Sequence, residues 1–156
     1  MAPVDDPPAA QKFLEKMLDS GLFESNSIRD LKVLSVSPGF CKASLPVTPK
    51  VANRYGTLHG GCIATLVDVV GSAALVTASS LSGVSVEIST SYIGPAKVGE
   101  EVLVEARLLK QGRSLAVIQV DLTVSGTGAR VAQGRHTKFL PGTPHNAGSP
   151  NLTSKL

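Results

Sequence analysis

Cysteine is scarce in this chain, aromatic residues make up only 4% of it, and it has no basic stripe, no sequence repeat and no clean membrane-length apolar segment. Each absence removes a class of protein. The two cysteines, Cys41 and Cys62, both sit inside apolar segments, which speaks against a disulfide framework or a thiolate metal site and suits a reducing compartment. Lysine and arginine (15) outnumber aspartate and glutamate (12), a mild tilt toward anionic ligands. The cations are scattered and not interleaved with aromatics, so nucleic acid is not indicated. Without a recurring period of about 20 to 50 residues, solenoids and propellers are excluded. The acidic, proline-rich start, Met1-Ala2-Pro3-Val4-Asp5-Asp6-Pro7-Pro8, is unlike a secretory signal or mitochondrial presequence. The longest apolar run, residues 62–76, approaches a short membrane span in length. It contains Thr65, Asp68 and Ser72 and lacks flanking charge belts, so membrane insertion is not expected.

What is present suits one domain with a sizeable core: 156 residues, 42% hydrophobic and 17% charged. The expected organisation is a flexible leader over 1–8, a folded domain over 9–140 and a mobile tail over 141–156. Phe13, Leu14, Met17 and Leu18, followed by Gly21, predict a short amphipathic covering helix. Segments 31–36 and 40–47 flank Pro38-Gly39 and predict a hairpin, followed by a loop through Pro49, Asn53 and Gly56. His59-Gly60-Gly61 then opens a long apolar helix that ends near 79–83. Strands are predicted over 84–92, 102–109, 114–124 and 129–139, the last three joined tightly enough for an antiparallel meander. A helix apolar all round must be wrapped, and one curved antiparallel sheet can wrap it, giving an α+β fold.

Asp68 is the anomaly in that helix. A buried, unpaired carboxylate is costly, so an acid where leucine or alanine would pack implies acid/base or nucleophilic chemistry, or else a satisfied structural carboxylate. Thr65 and Ser72, one turn to either side, are candidate hydroxyl partners or plain core filler. Gly60 and Gly61 stand where a helix begins, with unpaired N–H groups at the positive end of its dipole. They are either a simple glycine start or an oxyanion site that no side chain obstructs. His59 either orients this loop or faces a ligand, and Ser85, on the polar face of the next strand, can hold a water. Gly60 and Asp68 are eight residues apart, roughly 12 Å along one helix. A base and an oxyanion donor must both come within roughly 3 Å of one carbonyl. Two antiparallel helices in a two-fold dimer would meet that requirement, with Asp68 of one subunit facing Gly60 of the other.

Asn53-Arg54-Tyr55-Gly56-Thr57-Leu58-His59-Gly60-Gly61 and Ala64-Thr65-Leu66-Val67-Asp68 closely resemble the hotdog-fold acyl-CoA thioesterases of the thioesterase-superfamily-member-2 (PaaI-like) type. Gly83-Val84-Ser85-Val86, the stretch from Tyr92 to Glu100, Leu109-Lys110-Gln111-Gly112-Arg113 and Ala132-Gln133-Gly134-Arg135-His136-Thr137-Lys138 extend the likeness over roughly residues 10–140. The resemblance implies a long central helix wrapped by a six-stranded antiparallel sheet, dimers and often tetramers, and hydrolysis of acyl-CoA with no metal or cofactor. It implies Asp68 as nucleophile or general base, Gly60 N–H as oxyanion donor, Asn53 and His59 ordering the donor loop, and Ser85 positioning water. Tyr92, Pro95, Lys97, Lys110, Gly112, Arg113 and Ser114 match the stretches that hold CoA in that family. A non-catalytic acyl-CoA binding module is the alternative, disfavoured because an inert binder gains by replacing a buried acid. A hotdog hydratase usually arranges its His and acid differently. Neither the acyl preference nor a substrate contact for His136 follows from these residues. The final Ser154-Lys155-Leu156 reads as a peroxisomal matrix address recognised by an import receptor.

Overall fold

The computed structural model describes residues 7–79 and 81–141. Helix α1 (Pro7–Leu18) and the short α2 (Phe23–Ser27) precede the hairpin β1 (Lys32–Ser37) and β2 (Phe40–Pro46). A single 3-10 turn at Pro49–Val51 leads to α3 (Gly60–Val76), and β3 (Val84–Tyr92), β4 (Glu101–Gln111), β5 (Leu115–Val124) and β6 (Arg130–Phe139) follow. One six-stranded antiparallel sheet in the order β1-β2-β4-β5-β6-β3 contacts α3 through β2 to β6. This is the wrapped-helix α+β architecture expected from the sequence, with β4, β5 and β6 as the meander.

Several details differ from expectation. Helix α1 starts at Pro7, inside the stretch assigned to a leader, because proline fits the first turn of a helix without losing a hydrogen bond. Five mostly polar residues form α2, too few for a helical period to show. Strand β4 runs on to Gln111 through a register shift between Leu108 and Lys110, so Lys110 belongs to the strand and not to the turn.

Strand β5 turns Ala116, Ile118, Val120 and Leu122 inward, all fully buried. They pack on Leu66, Val67, Val70 and Ala74 of α3 in one core, which Leu14 of α1 also joins. Two glycines let the helix lie close to β6. A Cβ at Gly134 would stand 2.6 Å from a Val67 methyl, and one at Gly71 would stand 3.2 Å from His136 Nδ1. The sheet ends at β1 on one side and at β3 on the other. This last strand has one free edge and leaves Val84, Val86 and Ile88 exposed, a conspicuous apolar edge.

Candidate active site

The start of α3 is organised by side chains that fold back on their own loop. Asn53 Oδ1 accepts the N–H of Tyr55 (2.9 Å) and of Thr57 (3.3 Å), its Nδ2 donates to Thr57 Oγ1 (2.9 Å), and its backbone N–H donates to Thr57 O (2.8 Å). The loop is then pinned from outside. Leu58 N–H donates to Ala96 O, and Val98 N–H donates to Gly56 O. His59 N–H donates to Val51 O at 2.9 Å, and its ring Nδ1 accepts Gly61 N–H at 2.9 Å, making His59 the helix cap.

That cap corrects one expectation. Gly61 N–H is taken by the histidine, and the free donor is Gly60 N–H, which has no protein acceptor among the described residues. Tyr92 Oη donates to Gly60 O at 3.2 Å, on the Gly60–Gly61 peptide whose N–H His59 accepts, so the peptide after the free donor is held at both ends. A cleft of about 350 Å³ opens beside it, between α2 and α3, bordered by Phe23, Lys50, Val51, His59, Cys62 and Thr65. Burial pushes the Cys62 thiol up to about 11, so it is no thiolate nucleophile at neutral pH.

Two turns further along α3, Asp68 faces the margin of the sheet. The expectation of a buried carboxylate does not hold for the single chain, where the Asp68 side chain is 45% exposed. The open side is the side of β3, whose free edge leaves this flank of the helix uncovered. Ser85 Oγ lies 2.8 Å from His136 Nε2 and 3.5 Å from Asp68 Oδ1, and His136 Nε2 is 3.6 Å from that same oxygen. A register shift in β3 between Ser85 and Glu87 helps to aim the serine inward, opposite Lys138 of β6.

His136 is fully buried. Burial, and next the Lys138 ammonium, push its imidazole down to about 4 against the opposing pull of Asp68, so it is uncharged at neutral pH. Ser85 and Asp68 thus meet a neutral ring, and the pairing of His136 with the carboxylate is not an ion pair.

The sequence reading gave no role to His136, Lys138 or Gly71, and Ser72 served there only as a possible hydroxyl near Asp68. The signal was the period of β6: Ala132, Gly134, His136 and Lys138 alternate inward while Gln133, Arg135 and Phe139 point out. Two titratable side chains in inward positions mark a site for the same reason that Asp68 does.

The residues matched to CoA binding fall into two groups. Tyr92, Pro95 and Lys97 lie at the Gly60 end, with a bridge between Thr57 and Lys97. Lys110, Gly112, Arg113 and Ser114 lie at the exposed β4–β5 hairpin, where Gln111 Nε2 donates to Ser79 Oγ just past the other end of α3. A 17-residue helix is about 25 Å long, so one subunit does not bring these groups together. Among the described residues no group of three His, Cys, Asp or Glu side chains is placed to hold a metal ion.

The thioesterase superfamily model matches residues 55–129, from the donor loop to the β5–β6 turn. Human acyl-coenzyme A thioesterase 13 is 45% identical over 111 residues, which cover 70% of this chain and 79% of that protein. The chain belongs to the thioesterase superfamily. The crystal structure of zebrafish thioesterase superfamily member 2 superimposes on this thioesterase with a TM-score of 0.80 at 42% identity, covering 83% of this chain and 94% of that one. A hypothetical thioesterase protein from Streptococcus pneumoniae, crystallised with coenzyme A, gives a TM-score of 0.71 at 25% identity, over 77% of this chain and 91% of that one.

Proposed function

We propose that this acyl-CoA thioesterase works in a site shared by two subunits, with Asp68 of one acting on a thioester whose carbonyl is polarised by Gly60 N–H of the other. The carrying observation is the pair of half-sites on α3. Among the described residues the amide donor at the start of the helix has no acceptor, and the half-exposed acid eight residues later accepts from Ser85 and from no backbone amide. A two-fold axis along the free β3 edge would cover Val84, Val86 and Ile88 and bring the two halves together. It would also place the hairpin cations of one subunit near Tyr92 and Lys97 of the other, so that one CoA spans both groups.

The chemistry follows from the groups. Gly60 N–H and the positive end of the α3 dipole stabilise the negative charge that develops on the carbonyl oxygen. Asp68 either attacks the carbonyl carbon, forming an anhydride that water then opens, or takes a proton from a water that attacks it. In both routes the carbon–sulfur bond breaks, the CoA thiolate leaves and takes up a proton, and water supplies the second oxygen of the free acid. Ser85, bonded to neutral His136, is placed to orient that water. No cofactor enters this reading.

The test is thiol release from a panel of short, long and phenyl-bearing acyl-CoAs by the wild type and by Asp68→Asn. Turnover should fall at least ~100-fold in the variant while CoA binding persists. Unchanged hydrolysis would remove Asp68 from the mechanism.

We further propose a peroxisomal setting, on the strength of Ser154-Lys155-Leu156 where it stands at a free C-terminus. That tripeptide lies outside the described residues. An import assay with the three residues deleted tests it, with import abolished and hydrolysis intact as the expected result.

A further inference from the structure

Lys138 is only 6% exposed, and the reaction steps above make no use of it. Its Nζ donates to Ser72 Oγ at 2.6 Å. Ser72 follows Asp68 by four residues, one turn of α3, and Lys138 follows His136 by two, the next inward position of β6. Asp68 with His136 and Ser72 with Lys138 are therefore consecutive rungs between the helix and the strand.

A serine hydroxyl is a neutral partner. It aims the ammonium without balancing its charge, and a buried charge needs an opposite one nearby. The polar groups around Lys138 are Ser72 of α3, which it bonds, Asp68 one turn earlier on α3 and beyond ion-pair distance, His136 from its own strand and Ser85, its register partner on β3; its register partner on β5 is Ala116. Among these, Asp68 is the one anion.

We propose that Lys138 is a positioning residue whose ammonium, aimed by Ser72, is the fixed counter-charge to the Asp68 carboxylate in the assembled site. The inference rests on the reading of Asp68 given above. Once a partner subunit and substrate cover the carboxylate, it loses water on its open side, and its compensation must come from the protein. Lys138, held by Ser72 one turn along α3, is the cation nearest to hand, acting through the buried interior without direct contact. Burial pushes its ammonium down from the usual lysine range, and Asp68 pulls it back up. The same cation disfavours a proton on His136, which keeps Ser85 paired with a neutral ring.

Lys138→Met keeps length and bulk but removes the charge. The expected result is a fall in kcat of about tenfold at pH 7 with KM little changed, and an acid limb of the kcat profile displaced upward by about one pH unit. The His136 ring resonances, followed by NMR, should titrate at higher pH than in the wild type. A folded variant whose acid limb stays in place overturns the proposal, whatever its kcat, because it shows a purely structural lysine. If Lys138→Met does not fold, Ser72→Ala decides: a loss of about threefold in kcat at unchanged KM supports the proposal, and wild-type kcat overturns it. Asp68→Asn separates the two levels. Full turnover there defeats the reading of Asp68 itself, whereas an inactive Asp68→Asn beside an unperturbed Lys138→Met defeats the counter-charge alone.

Discussion

The two ends of the catalytic region differ in how complete they are within one chain. Around Gly60 almost everything is satisfied within one chain: Asn53 bonds to its own loop, His59 caps the helix and Tyr92 of β3 holds the Gly60 carbonyl. Around Asp68 the inner wall is finished, with His136 and Lys138 sealed behind it, but the outer wall is missing and the carboxylate looks out beside an exposed apolar strand. The donor end is thus completed within one chain, and the acid end is left for a second subunit to close.

Breaking the open end should have the largest effect. Val86→Lys places a charge on the β3 edge, and a like pair meeting across a two-fold axis is repelled. Sedimentation should then report monomers that keep the far-UV spectrum of the wild type but lose at least about tenfold in hydrolysis, since each site is cut in half. Full activity in a monomer would show that one chain suffices.

The sealed inner wall can be read through its pH dependence. Unfolded His136 takes up a proton near the usual histidine value, and folded His136 does so only near 4. Between those values the unfolded chain binds more protons, so stability is fully present above about 6.5 and declines as pH falls toward 4. The loss should be of order 3 kcal/mol in denaturant titrations, and His136→Gln should flatten that part of the curve. An equal slope in the variant would assign the titration to other groups.

The smallest effect belongs to the exposed hairpin. Arg113→Ala should raise KM for acyl-CoA about fivefold with kcat nearly unchanged, as loss of one solvated phosphate contact does. A fall in kcat instead would place Arg113 nearer the chemistry than its hairpin position implies.

The same contrast explains what could be read from the sequence. The long helix was legible because its apolar run is continuous, and the meander because β5 alternates cleanly. The donor loop was legible through its glycines and Asn53, but the cap was not: histidine is an unusual cap, so Gly61 looked as free as Gly60. His136 and Lys138 were legible only through the two-residue period of β6, a faint signal because its other inward positions are the small Ala132 and Gly134. The exposure of Asp68 was beyond reach from sequence, since its burial depends on what lies across the β3 edge.

Mixed dimers test the shared site most directly. Asp68→Asn and Gly60→Val subunits, each inactive alone, are refolded together in equal amounts. If each site takes its acid from one subunit and its amide from the other, half of the dimers are mixed and each mixed dimer regains one intact site, about one quarter of wild-type hydrolysis. Activity that stays at the level of the two parents would mean that acid and donor belong to the same chain, and would contradict the account.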